Sequence, residues 1–370
     1  MNLLFFELIQ VSIDRRVTLS RVPSAEEWSL LYGLSVKQAV AGICFVGVQR
    51  LTKEQRVEMP MGLMMQWFAL TEQIRQRNEV MNRRCVEVQQ VLAEDGIRSS
   101  ILKGQSIARL YNLNLGMYRQ SGDIDVYVPC GMERGLGWCR EMYGDVEYDY
   151  INAHVPMFKD VDVELHWRVG AMTNLFRNRR LQRWLEREET KAMILGGKAT
   201  LPNGGDITVP TLEFNAFYLM LHCYHHVFES GLGLRQLMDY YFLLLFFHGT
   251  HGEHGDAIAN VNRLFKEFGM ERFAGAVMWI MHEVFGLESE RLLCEPDEKE
   301  GRYILAQVMA GGNFGHHDER IKKVGKGKWR SVFANLQHAL HVLRRYPQES
   351  MWMPVWMVYH FIWKRILKIK

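Results

Sequence analysis

Asp123 and Asp125 alternate with Ile124, Val126 and Val128 in the run GDIDVYVP, residues 122–129. In a strand this spacing puts both carboxylates on one face and the aliphatic side chains on the other. Like charges held so close repel, and a pair of this kind is stable mainly with something positive between its members, most often a divalent cation. A second run, VDVELHWRV at 161–169, alternates in the same way. Val161, Val163 and Leu165 face one way, while Asp162, Glu164 and His166 face the other, so a third carboxylate can join the first two. Carboxylates from neighbouring strands can hold two cations roughly 3.5–4 Å apart, the arrangement used in nucleotidyl and phosphoryl transfer. Upstream, Gly104 and Ser106 in ILKGQSI stand at an expected helix start, where backbone N–H groups and the positive dipole end suit phosphates.

The elements that must position these residues follow from periodicity. Apolar positions from about Ser24 to Val91 recur at three and four residues, which predicts a helical start. A helix over 78–94 ends at Gly96, a short strand in IRSSILKG turns at Gly104, and a helix is expected over 105–112. The Asp-bearing strand follows, then a helix over 133–143, then the Glu164 strand; strand, helix, strand, helix, strand marks an α+β core. ILGGKATLPNGGDITVPT has the alternation and Asn-Gly-Gly turn of a hairpin. Beyond it helical periodicity covers 212–228, 234–247, 257–285, 300–310, 330–345 and 351–367. The expected organisation is a helical N-terminal segment (1–75), an α+β core (76–210) and a helical C-terminal domain (211–370).

ILKGQSI, MYRQSGDIDVYV and VDVELHWRV together resemble the nucleotidyltransferase superfamily of DNA polymerase β, with its Gly-[Gly/Ser] helix start, Asp-x-[Asp/Glu] strand and later acid. They resemble more closely an uncharacterised bacterial nucleotidyltransferase-like family with Leu-Lys-Gly, Arg-x-x-x-Asp-Ile-Asp and an acid-Leu-His-Trp strand end, and GLRQLMD at 233–239 is similar to that family too. The resemblance spans roughly 75–245 and implies a small mixed β-sheet nucleotidyltransferase core. It implies Asp123, Asp125 and Glu164 as catalytic metal ligands for Mg²⁺ or Mn²⁺, and Lys103, Gly104, Ser106 and Arg119 as the nucleotide-binding set. A nucleoside triphosphate is the implied substrate, with a small molecule, a protein or RNA as acceptor. Gln105 directly after the glycine and the long gap to Asp123 depart from the superfamily pattern.

Other residues carry blander readings. Asp162 is the rival of Glu164, and His166 is expected to support the site or pack rather than ligate. Arg235 and Asp239, four apart on one helix face, are an ordinary ion pair or line the substrate cleft. His222, His225 and His226 have helical spacing but no H-E-x-x-H arrangement, so packed histidines are the default over zinc. HGTHGEHG and GNFGHHDER read as loops. Trp352, Trp356, Tyr359 and Trp363 form a stripe ending in basic residues, expected to pack into the helical domain rather than lie on a membrane.

At 370 residues, 48% hydrophobic and 24% charged, the chain has a folded composition, and a net charge of +3 does not itself imply nucleic acid. Six scattered cysteines without C-x-x-C argue against a zinc ribbon and suit a reducing compartment. No run of roughly 18 uncharged apolar residues occurs, and the N-terminus lacks the form of an export signal, so a cytoplasmic protein is expected. Three kinds of function fit: an active transferase, a nucleotide-binding regulatory module without turnover, and an RNA-modifying component of a toxin pair.

Overall fold

The computed structural model describes residues 2–228, 231–249, 255–313 and 343–368. Helices come first: α1 (Asn2–Ser12), α2 (Ala25–Lys37), α3 (Ala41–Arg50) and α4 (Met61–Glu94). Ser24 caps α2 in a reciprocal box with Glu27, satisfying free N–H groups of the first turn. The expected helix at 78–94 is the last half of α4, which stops where Gly96 takes φ +67°.

The α+β core follows: β1 (Ser100–Ile101), α5 (Gly104–Ala108), a 3₁₀ segment (Asn112–Tyr118), β2 (Ile124–Tyr127), α6 (Gly131–Tyr143), β3 (Asn152–Val155) and β4 (Val163–His166). The helix expected over 105–112 ends at Ala108, and the chain tightens into the separate 3₁₀ segment. The sheet has the order β1-β2-β4-β3, with β2 and β4 parallel and both outer pairings antiparallel. It is a small mixed sheet in an α+β fold, as expected. The outer strand β3 went unanticipated because only Ala153 and Val155 of its four residues turn inward, too short a pattern to stand out.

The aliphatic face of the sheet packs Ile124, Val126, Val163 and Leu165 against Met81, Cys85, Val88 and Leu92 of α4 and Leu136 and Cys139 of α6. Each such side chain contributes roughly 1.5–3 kcal/mol through burial, so a one-residue slip that exposed them is strongly disfavoured. That preference leaves the opposite face of β2 and β4 to the acids.

After α7 (Leu175–Leu185) and α8 (Glu188–Leu195) the expected hairpin forms from β5 (Gly197–Leu201) and β6 (Gly205–Val209). The rest is helical: α9 (Leu212–Phe228), α10 (Leu234–Gly249), α11 (Gly255–Glu267), α12 (Glu271–Glu283), α13 (Glu298–Gly311), α14 (Pro347–Ser350) and α15 (Met353–Lys368). The segment expected as one helix over 257–285 is two, broken where Gly269 adopts φ +66°. Most of the helix expected at 330–345, most of GNFGHHDER, and His251 and His254 lie outside the described residues. One apolar cluster joins Phe5, Leu8 and Trp28 of the first helices to α9, α10 and α12, so both ends of the chain share a core.

The C-terminal aromatic stripe differs from expectation. Trp356, Tyr359 and Trp363 surround Tyr150 beside the sheet, with ring centroids at 5.5, 6.3 and 5.4 Å, and Trp352 meets Phe176 edge-on. The stripe therefore docks on the α+β core and α7, because Tyr150 offers the apolar surface the indoles can cover. Among the described residues no helix is long and apolar enough to cross a membrane.

Candidate active site

The parallel pairing of β2 with β4 sets Asp125 directly opposite Glu164, and two residues on it sets Tyr127 opposite His166 on the same face. Lys103, Asp123, Asp125, Asp162 and Glu164 line one wall of a cavity of about 460 Å³, and His222, His226, Arg235 and Asp239 of α9 and α10 line another. That volume lies within the ordinary range for a small-molecule site. The cavity thus sits between the acid-bearing sheet face and the helical C-terminal half.

Asp125 is almost fully buried, and its Oδ1 receives Lys103 Nζ at 3.1 Å and His166 Nε2 at 2.8 Å. The same Nε2 is 3.2 Å from Glu164 Oε2, which also accepts from Asn152 Nδ2. His154 Nδ1 stands 3.5 Å from Glu164 Oε1. Ligand atoms of Asp125, Glu164 and His166 lie within 4.8 Å of one another, a donor set of two carboxylates and an imidazole. Asp123 borders the same cavity outside that cluster of three, and His166, expected to support or pack, is inside it.

The electrostatics are those of charges forced together. Burial opposes ionisation of Asp125, yet Lys103 and the His166 hydrogen bond outweigh it and hold the carboxyl far below its usual range. Asp123 shifts the other way, raised first by the charge on Asp125 and then by burial. Burial works against a charged His166, but its bonds to Asp125 and Glu164 prevail and move its pKa up to about 9. The fit to a divalent cation rests on this chemistry: a buried and a half-buried carboxylate are balanced here by an ammonium and an imidazolium, the positions of positive charge that a hard cation with oxygen ligands takes.

Lys103 reaches Asp125 from a strained backbone, φ 31° and ψ −148°, with Gly104 behind it at φ +46°. Holding a lysine there costs about 1–3 kcal/mol, a cost tolerated where the surroundings dictate the conformation. Gly104 borders the cavity, whereas the Ser106 side chain is fully buried and does not. Ser106 is on the inner side of the short α5, facing the core instead of the cavity.

Arg119 also departs from the role the resemblance implies. Its Nε and Nη2 donate to Asp239 Oδ1 and Oδ2, both at 2.6 Å, and Tyr111 Oη adds a third bond to Oδ1 at 2.7 Å. This buried, two-pronged pair ties the loop before β2 to α10, so Arg119 borders the cavity with two of its donors committed. Arg235, expected to pair with Asp239 along the helix, donates from Nη1 to the Gln120 carbonyl at 2.6 Å. Burial, then the nearby charge of Arg119, lowers its pKa to about 10. His222 and His226 face each other with Nε2 atoms 3.1 Å apart on the cavity wall.

The supporting residues had no legible signal. Asn78 Nδ2 donates to the carbonyls of Met117 and Arg119 at 2.8 and 2.7 Å, and Ser121 Oγ joins Asn78 to Gln105. Gln105 in turn donates to Asn82 of α4. An amide on a long helix announces nothing until the loop it holds is known. Gln105, which departs from the superfamily pattern, is thereby part of the frame beneath the Gly104 turn.

No curated protein and no solved structure gives a significant match to this chain. A family model described as an uncharacterised nucleotidyltransferase matches residues 24–286. The match runs from the cap of α2 to just beyond α12 and includes every cavity residue named above. With its acids paired across parallel strands and more than half its length covered by that model, the chain belongs to this nucleotidyltransferase family.

Proposed function

We propose that the cavity binds a nucleoside triphosphate with Mg²⁺ or Mn²⁺ and that the protein transfers the nucleotidyl group to a hydroxyl acceptor. The acceptor is a small molecule, a protein or an RNA end. The observation that carries this reading is the in-register pairing of Asp125 with Glu164, with Asp123 on the same cavity wall and Lys103 Nζ 3.1 Å from Asp125. Asp123, Asp125 and Glu164 are the residues that would hold the cation, with His166 as a further donor once it gives up its proton. A cation bound there supplies charge neutralisation at the phosphates and at the attacking oxygen.

The remaining work falls to the chain's own residues. Lys103, relieved of Asp125, presents its ammonium to a phosphate as a point charge, and the Gly104 turn lets the backbone come close. Asp123, the acid whose pKa is raised, is suited to take the proton of the acceptor hydroxyl. Arg119 positions Asp239, and Arg235 contributes positive potential to the opposite wall. In this division residues 76–210 carry the chemistry and 211–370 close the substrate side.

A second reading, nucleotide binding without turnover, is favoured by one observation: Arg119 is consumed by Asp239, which removes a phosphate-binding cation from the cavity. Labelled nucleoside triphosphates, Mg²⁺ and either cell extract or bulk tRNA separate the two. Label transfer that falls at least a hundredfold in Asp125→Asn and Glu164→Gln is the expected result, on the scale of losing a principal electrostatic contact. Tight nucleotide binding with no transfer to either acceptor pool sinks the transferase reading, and transfer confined to tRNA points to RNA modification.

A further inference from the structure

Arg109 follows α5 as its cap, at the opposite end of that short helix from Gly104. Its Nε is enclosed without a hydrogen-bond partner, and no carboxylate of the described residues forms an ion pair with its guanidinium. Burial alone pushes its pKa down, with no neighbouring anion to offset the loss of water. Arginines elsewhere in the molecule show the usual solution: Arg119 pairs with Asp239 and Arg177 with Glu349. A largely desolvated cation without a counter-charge is a costly arrangement for a protein to keep for packing alone.

A cavity of about 120 Å³ opens beside this guanidinium, bordered also by Asn82, Gln105, Tyr111, Asn114 and Thr200. It shares no lining residue with the larger cavity. Its wall depends on close backbone contact: a Cβ at Gly116 would stand 2.1 Å from the Ala108 carbonyl oxygen, so the 3₁₀ segment lies against α5 only because that residue is glycine. The space admits a group of a few heavy atoms and is too small for a nucleotide. The structure assigns to this pocket a small oxyanion, a phosphate or a carboxylate group, bound by the Arg109 guanidinium, since the amides of Asn82 and Gln105 and the hydroxyls of Tyr111 and Thr200 already donate within the protein. The site is independent of the nucleotidyl-transfer reading.

Thermal melts of the full chain in potassium phosphate, potassium succinate and potassium chloride of matched ionic strength test the assignment. Phosphate or succinate is expected to raise the wild-type midpoint by roughly 2 °C at ten times its dissociation constant, as mass action predicts for a chain of this size. The rise persists in Lys103→Met, which removes a cation from the larger cavity, and vanishes in Arg109→Met. In chloride, Arg109→Met melts no lower than the wild type, because it removes an uncompensated charge. Should Arg109→Met not fold, the assignment is overturned, since the residue is then structural. Titration calorimetry on Arg109→Lys supplies an independent readout, with phosphate affinity expected to drop at least threefold as the guanidinium fork is lost. No rise with either anion, an equal rise in Arg109→Met, or unchanged phosphate affinity in Arg109→Lys would also overturn it.

Discussion

At the scale of single residues, titration separates the two walls of the large cavity. His222 and His226 are held well below the ordinary histidine range, first by burial, then by Lys103 and by charge on neighbouring rings. Both rings are therefore neutral in the folded protein at neutral pH, while the unfolded chain takes up protons near pH 6.5. The unfolded state binds more protons below that point, so stability is present above about pH 6.5 and declines as pH falls. The decline is on the order of 1 kcal/mol per pH unit or less, given the cavity's access to solvent. Across the same window His166, with its raised pKa of about 9, stabilises the fold as pH falls and offsets part of this decline. Urea melts between pH 7.5 and 5.5 should show the net slope, and His222→Asn with His226→Gln should abolish the decline and leave the opposite slope of His166. A slope identical in the double variant would mean the two rings titrate normally.

Between elements, the buried pair of Arg119 and Asp239 joins the loop before β2 to α10, and Asn78 of α4 secures the same loop from the other side. Asp239→Asn leaves Arg119 buried without the carboxylate charge that balances it, and equilibrium unfolding should report a loss of roughly 3–5 kcal/mol. Asn78→Ala strips donors from two buried carbonyls, and a loss of about 2–3 kcal/mol is expected in the same measurement. A change below about 0.5 kcal/mol in either variant, the range of ordinary surface substitutions, contradicts the bridging role of that side chain. The element boundaries show how far periodicity reaches: GDIDVYVP reveals its strand because three aliphatics alternate, whereas β3 contributes two inward residues and stays hidden. The helix expected over 105–112 stops at Ala108, where Gly116 of the 3₁₀ segment presses on its carbonyl.

Across the whole molecule, the C-terminal helices clasp the α+β core at two points. Glu349 of α14 is buried at the start of α7, accepting from Thr173 Oγ1 at 2.6 Å and the Asn174 N–H at 3.1 Å, with Arg177 Nη1 at 3.3 Å. Asp149, beside Tyr150, accepts from His360 of α15 and pairs with Lys364 at 3.3 Å. Burial raises the Asp149 pKa, but His360, the Tyr150 N–H and Lys364 together bring it down to about 2. A depressed carboxylate stabilises the fold above its unfolded pKa of about 3.9 and loses that contribution as pH falls toward 2. Hydrogen exchange in α15 should therefore quicken between pH 4 and pH 2.5 relative to α4, and Asp149→Asn should show fast exchange already at pH 6. Equal α15 protection in that variant and the wild type at pH 6 would dismiss the clasp.

The amino-acid order alone determined the acidic face, the α+β class and the family, because alternation over residues 122–129 and 161–169 leaves aliphatics one choice of side once a core exists. Tertiary structure decided which charges meet. That β2 and β4 are parallel neighbours in register, that His166 joins Asp125 and Glu164, that Asp239 takes Arg119, and that Ser106 turns inward all depend on contacts between distant segments. Electrostatic energy varies with distance and burial, neither of which is written in local periodicity, so the partners of a charged residue emerge only when the chain is folded.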